Sequence, residues 1–225
     1  MATHTGTHLD APCHFARGKW SVADIPLENF VDRPVAVIDI VDQSVATRDY
    51  ELSVSDIKEW EKMNGEIADK SVILVKSGWG RFWPKKLEYF GTETKDISLL
   101  HFPGVHPDAA QWITENRQIV GIGIDSPSID NGQSKHYKSH QIFAANNIYH
   151  LENIAQTIHK LPATGARLTL LPLKIEGASG TSVTVIAQID DNNDISISAK
   201  CAPNLLLAFM PSLLASFVTL RYIIS

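Results

Sequence analysis

His4-Thr5-Gly6-Thr7-His8-Leu9-Asp10-Ala11-Pro12-Cys13-His14 places three imidazoles and a carboxylate within eleven residues. Packing does not explain such a cluster, because each group needs a hydrogen-bond partner when buried and none is an efficient core filler. A metal site does explain it. His4, His8, Asp10 and His14 are all even-numbered, and in an extended segment, where side chains alternate, such positions project from one face. On a helix, at about 100° per residue, the same four spread around most of the cylinder, and Gly6 and Pro12 disfavour a helix. The segment therefore reads as strand-like. It cannot be straight, since at about 3.3 Å per residue His4 and His14 would stand roughly 33 Å apart, far beyond the reach of ligands with bonds of about 2 Å. Gly6 and the Ala11-Pro12 step are the expected places for the backbone to fold inward. His, His and Asp form a borderline nitrogen and oxygen set suited to Zn or Mn, with positions left for water, as in catalytic rather than structural sites.

The pattern HxGTHxDxPxH, met here as HTGTHLDAPCH, resembles the signature of the cyclase family of metal-dependent hydrolases, which includes bacterial kynurenine formamidases and isatin hydrolases. The resemblance implies His4, His8 and Asp10 as metal ligands and His14 as the catalytic acid/base. It also implies a later His and Glu as ligands of one or two divalent ions, which read here as His140 in KSHQIF and Glu152 in HLEN. FPGVHPDAA, GIDSPSID and the glycine-rich turn at 174–180 look like the family's middle and closing sections. The fold it implies is α/β, a single domain with a mixed barrel-like sheet and flanking helices, the swivelling β/β/α arrangement.

The composition of the 225-residue chain is that of one ordinary globular domain, with 44% hydrophobic and 20% charged residues. A net charge of -5 and the lack of a basic stripe disfavour nucleic acid as a partner. Cys13 and Cys201 do not make a disulfide framework. Cys13 sits at an odd position in the even-spaced motif, so its thiol is expected to point away from the ligands as an inert, buried group.

Beyond the motif, residues 35–41 (VAVIDIV) read as a buried strand introduced by Pro34. Ser53 is the expected cap of a helix through Ile57, Trp60 and Met63 that ends near Asn64-Gly65. Residues 71–76 form a second buried strand running into Ser77-Gly78-Trp79-Gly80. Trp79, Phe82 and Trp83 are candidates for an aromatic wall around a planar substrate, with plain core packing the equal alternative for any one of them. A helix is expected over Pro107–Asn116, with Ala109, Ala110, Trp112 and Ile113 as its apolar stripe. A third buried strand follows at 119–124, where glycines suggest close backbone approach. It ends at Asp125, expected either to accept from a ligand imidazole or merely to shape a turn.

A continuous helix would hold His140 and Glu152 about 18 Å apart, so a break is expected, with Asn146-Asn147 suited to it. His136, one turn before His140, competes for the same role on spacing alone. His101, His106, His150 and His159 lack a constellation and read as surface or locally satisfied residues. Strands at 168–173 and 183–189 complete the sheet. The turn between them lacks the GxxxxGK[ST] order of a phosphate loop.

Residues 1–192 are thus read as the cyclase-like domain, expected to be N-terminally incomplete because the motif begins at His4 with no strand before it. Residues 193–225 are read as an apolar tail. Its uncharged run at 205–220 amounts to about 24 Å of helix, short of a roughly 30 Å bilayer core, and Pro211 interrupts it. Small residues before it, Ser196, Ser198 and Ala199, resemble a GPI-attachment signal. Lipid or membrane attachment is the expectation, with a packed helix as the alternative. The location expected is secreted or cell-surface, with cytoplasmic as the alternative. The expected activity is Zn- or Mn-dependent hydrolysis of a small-molecule amide, a formamide of the N-formylkynurenine type or a cyclic amide of the isatin type, in a homodimer. Two rivals are a surface or matrix protein that keeps the fold without turnover, and a ring-closing cyclase on the same scaffold.

Overall fold

Strands whose alternate residues are all apolar can be covered on both faces, and two of them, at the centre of the sheet, set the architecture. The computed structural model describes residues 3–189 and 221–224. In chain order these form β1 (His8–Asp10), β2 (Arg33–Asp39), α1 (Val41–Ala46), β3 (Glu51–Leu52), α2 (Val54–Asn64), β4 (Val72–Lys76), α3 (Lys86–Phe90), β5 (Gly104–Val105), α4 (Pro107–Asn116), β6 (Gly121–Ile124), α5 (Lys138–Ala145), β7 (Tyr149–Glu152), β8 (Ala166–Pro172), β9 (Gly180–Ile189) and β10 (Arg221–Ile224). The main sheet runs β1-β7-β6-β4-β2-β8-β9-β10, and a further β1–β9 pairing closes seven of these strands into a barrel. β2, β4, β6 and β7 are mutually parallel, whereas β1, β8, β9 and β10 pair antiparallel. The expected single α/β domain with a mixed barrel-like sheet and flanking helices is the fold observed.

Period-two alternation sorts the strand residues between two cores. Val35, Val37, Val72 and Leu74 fill the barrel with Leu9, Tyr149, Leu151, Leu168, Leu170, Val183 and Val185. Ala36, Ile38, Ile73 and Val75 point outward and pack against Ile57 and Trp60 of α2, Ala109, Ala110 and Ile113 of α4, and Phe143 of α5. The Trp60 indole N–H reaches the Val37 carbonyl at 2.7 Å, which ties α2 to β2. Ser53 caps α2 in a reciprocal box with Asp56, so two orphan N–H groups of the first turn are satisfied. Gly121 shows why glycine is needed in β6: a Cβ there would lie 2.2 Å from the Tyr149 ring.

The break expected between His140 and Glu152 is observed: Asn147 takes φ +57° after α5 and turns the chain into β7, which ends at Glu152. The apolar run at 205–220, on which the anchor expectation rested, lies outside the described residues. Arg221–Ile224 pairs with the end of β9. Among the described residues no helix is long and apolar enough to cross a membrane.

Candidate metal centre

The site lies on the outer face of the barrel where β1 meets β7. Leu9, Tyr149 and Leu151 enter the barrel core, so His8, Asp10, His150 and Glu152 leave on the opposite face. The antiparallel register sets Glu152 across from His8 and His150 across from Asp10. Before β1 the chain turns at Gly6, φ +64°, and His4 folds back to place Nδ1 2.5 Å from Asp10 Oδ1 and Nε2 3.2 Å from Ser179 Oγ. After β1 a single 3-10 turn, Pro12–His14, carries His14 back until Nε2 is 3.9 Å from Asp10 Oδ2. Its ring stacks on that of His4 at 4.3 Å. The two bends fall at the glycine and the Ala-Pro step.

α5 delivers His140 from above. Asp130 anchors its first turn, accepting from the backbone N–H groups of Ser139 and His140 at 3.3 and 3.0 Å and from His140 Nδ1 at 2.6 Å. With Nδ1–H donating to Asp130, Nε2 faces Glu152 Oε1 at 2.8 Å. His8 is oriented the same way, since Nδ1–H donates to the Gly6 carbonyl at 2.9 Å and Nε2 stands 3.4 Å from Asp10 Oδ1 and 3.3 Å from Glu152 Oε2. The Ile129 N–H completes the shell of Glu152. Phe15 covers the cluster, 4.1 Å from the His140 ring and 4.7 Å from that of His14.

Charge is distributed unevenly over these groups. Burial opposes a charge on His140, but the Asp130 and Glu152 carboxylates overcome it and push its pKa up to about 9. Burial likewise opposes charge on His8, and Glu152 with Asp10 again wins, leaving it above the ordinary value. Burial would raise Glu152, yet hydrogen bonds from His140 and His8 hold it far below the usual carboxylate range. His14 goes the other way: burial lowers its pKa, Asp10 opposes this, and the neighbouring His4 and His140 lower it further.

A divalent cation fits this cluster. His4, His8 and Asp10 each offer a ligand atom, all within 4.8 Å of one another. With His8 Nδ1–H committed to a carbonyl, its Nε2 lone pair faces two carboxylate oxygens, an arrangement that requires either a proton or a cation between them. Two imidazoles and a carboxylate are the borderline donors that Zn or Mn takes.

Several expectations need correction. Asp125 does not touch an imidazole; its buried carboxylate accepts from Ser77 N and Oγ at 2.8 and 2.6 Å and from Gly80 N at 3.3 Å, so it organises the turn after β4. The carboxylate that holds a site imidazole is Asp130, in the same loop. Trp79 is not an open wall: it is 2% exposed, packs with Tyr89 and Phe102, and donates its indole N–H to the Tyr89 carbonyl. Phe82 is half-buried beside it, and Trp83 is 61% exposed against the edge of Tyr89. A cavity of about 250 Å³ lies instead between Phe90, Leu100, Phe102 and Tyr137, and the Tyr137 ring is 6.0 Å from that of His140. Of the two competing histidines, His136 is exposed and His140 buried in the cluster. His101, His106 and His159 have the local partners expected of them. His150 does not belong with these three, for it is fully buried at the centre of the cluster, 4.9 Å from the His140 ring. The available signal was its period-two relation to Glu152, which places both on one face once the segment after the Asn146-Asn147 break is a strand. Cys13 packs against the barrel core.

Comparison with known proteins supplies relatives for this arrangement. The model of the Cyclase family, described as "Putative cyclase", matches residues 1–131. The isatin hydrolase of Roseibium aggregatum is 31% identical over 196 residues, covering 84% of this chain and 73% of that protein. A kynurenine formamidase of Bacillus cereus is 29% identical over 186 residues, covering 83% and 76%. Among solved structures, isatin hydrolase A from Ralstonia solanacearum is similar with a TM-score of 0.77 at 31% identity, over 84% of this chain and 73% of that one.

Proposed function

The chain belongs to the cyclase family, and from that premise we propose that it is a metal-dependent hydrolase of a small-molecule amide, a formamide of the N-formylkynurenine type or a cyclic amide of the isatin type. One observation carries the reading: ligand-type atoms of His4, His8 and Asp10 converge within 4.8 Å, beside an imidazole, that of His14, which is 37% exposed with Nε2 3.9 Å from Asp10 Oδ2. The names of the relatives support the amide class.

His4, His8 and Asp10 would hold the ion, joined by His140 and Glu152 if a second ion binds. A divalent cation there supplies Lewis-acid activation of water and of the amide carbonyl. The protein's own groups do the rest. His8 Nδ1–H on Gly6 O and His140 Nδ1–H on Asp130 fix both tautomers, so each Nε2 points into the site. His14, its pKa lowered by burial and by neighbouring imidazoles, is neutral near pH 7 and accepts a proton through Nε2 as water attacks. It returns that proton to the leaving nitrogen when the C–N bond breaks. Phe15 shields the inner imidazoles from bulk water, and the cavity beside Tyr137 offers an apolar seat for an aryl ring.

The test is elemental analysis of protein purified without added metal, with spectrophotometric assays on N-formylkynurenine and isatin. Bound Zn or Mn with turnover of either is expected. His14→Ala is expected to reduce turnover by at least about 100-fold, as for loss of a general acid/base, with metal content intact. Equal loss of metal would make His14 a ligand instead, and a folded chain without metal would refute the reading.

A further inference from the structure

Asn153 follows Glu152 directly and takes φ +55°, a left-handed conformation that asparagine tolerates better than most residues. It turns the chain out of β7 one step beyond the His8–Glu152 pair of the strand register, and three segments hold it there. The Thr7 hydroxyl, at the start of β1, donates to the Asn153 carbonyl at 2.7 Å. The Asn153 N–H donates to the Ser126 carbonyl, in the loop after β6, at 3.0 Å. The third bond comes from outside the sheet: the Tyr89 hydroxyl, on α3, donates to Asn153 Oδ1 at 2.8 Å. Tyr89 has little freedom of its own. It is 2% exposed, its ring packs with Trp79 and Phe102, and its carbonyl takes the Trp79 indole N–H at 2.8 Å. A buried phenol needs a partner for its proton, and this one is committed to the residue beside a site carboxylate. That carboxylate faces two imidazoles, with Glu152 Oε1 2.8 Å from His140 Nε2 and Oε2 3.3 Å from His8 Nε2. Any rotation of the Asn153 turn therefore moves Glu152 against both rings, in a centre where ligand distances tolerate only about 0.2 Å.

We propose that Tyr89 is a positioning residue of the metal centre: its O–H, acting through Asn153, sets the angle at which Glu152 meets His8 and His140. The next residue, Phe90, lines the cavity proposed as the aryl seat, so one short helix both steadies the metal centre and walls the place for substrate. The inference rests on the metal-dependent reading of the site. It does not depend on which amide is cleaved or on how many ions bind.

The experiment is chelator competition for Mn²⁺ on the stripped full chain, with thermal melting of the same samples followed by circular dichroism. Tyr89→Phe keeps the ring and drops the O–H. Its Mn²⁺ affinity is expected to fall by about 10–100-fold, the loss that follows removal of an outer hydrogen-bond partner. Asn153→Gly deletes the same bond from the other side and keeps the positive φ. Its affinity is expected to fall as far, and that of the double variant no further, because residues that act through one bond do not add. Where Tyr89→Phe fails to fold, Asn153→Gly carries the same expectation. Tyr50→Phe is the control, since it removes a phenol hydrogen bond of equal length, 2.8 Å to Asp56 Oδ2, at the start of α2; a lowered Tm with affinity within about threefold of wild type is expected. An affinity for folded Tyr89→Phe within about threefold of wild type would make its hydroxyl merely structural and overturn the proposal. Equal loss in Tyr50→Phe, or losses that add in the double variant, would overturn it too. Each of these leaves the hydrolase reading standing, whereas a wild type that binds no Mn²⁺ overturns both.

Discussion

Gly180→Ala tests whether the β1–β9 seam shapes the metal site. Gly180 pairs with Asp10 across that seam, and a Cβ at this position would lie 2.3 Å from His4 Cε1, 2.7 Å from His4 Nε2 and 2.7 Å from the Leu9 carbonyl oxygen. Ordinary Cβ contacts begin near 3.4 Å, so the His4 ring must retreat by about 1 Å. The His4 side chain is 25% exposed, which lets it swing toward solvent, away from Asp10 and Ser179. Metal sites tolerate deviations of only about 0.2 Å in ligand distance, so a shift of that size removes His4 from the ligand set. The Leu9 oxygen belongs to the backbone and cannot rotate away, and the seam must open slightly, at a cost of about 1–3 kcal/mol as for other overpacked sites. Chelator competition for Mn²⁺ and thermal melting of the stripped protein measure the two effects separately. Metal affinity is expected to fall at least tenfold, together with a lowered Tm. Gly65→Ala is the control, since Gly65 has φ +85° but open space around it; it should lose about 1 kcal/mol of stability and no metal affinity. An affinity for Gly180→Ala within about threefold of wild type would refute the steric reasoning.

Away from the site, Glu61 takes two 2.6 Å hydrogen bonds from Arg117 and a third from Ile67 N. Burial would raise its pKa, but these donors outweigh it and lower the value. A depressed carboxylate stabilises above the unfolded-state pKa of about 4.3 and loses that contribution as pH falls through the folded-state value. Glu61→Gln should therefore cost about 1–3 kcal/mol at pH 7, with the gap to wild type closing below about pH 4; a gap independent of pH in denaturant melts would contradict this. Metal should also stabilise the fold, because a cation that binds the folded arrangement of His4, His8 and Asp10 and not the unfolded chain shifts the equilibrium: at about 100 times Kd, Zn²⁺ or Mn²⁺ should add about 2.7 kcal/mol. A Tm unmoved by either metal in the stripped protein would argue against a cation at His4, His8 and Asp10.

Much of this was legible in the residues. The even spacing of His8 and Asp10 foretold that they share one strand face, and Gly6 and Ala11-Pro12 foretold the two bends that bring His4 and His14 to it. Ser53 with Asp56, Pro107 and Asn147 marked helix starts and a break, because capping and left-handed turns are local preferences. The aromatic wall was harder to read. Whether Trp79 faces a cavity or a core depends on Tyr89 and Phe102 closing over it, a tertiary matter. Asp125 and Asp130 look alike in sequence, yet one folds onto the Ser77 turn and the other onto the start of α5.

The chain's own periodicity determined which residues share a face: alternation put His8 with Asp10, and it puts His150 with Glu152 once that segment is known to be a strand. Only the tertiary structure decided that the two faces meet. The register of β1 against β7, which sets Glu152 opposite His8 and His150 opposite Asp10, joins strands separated by most of the domain. It depends on Leu9, Tyr149 and Leu151 finding one barrel core. A slip of one residue in β1 would turn His8 and Asp10 inward, and no local preference within residues 4–14 excludes that slip.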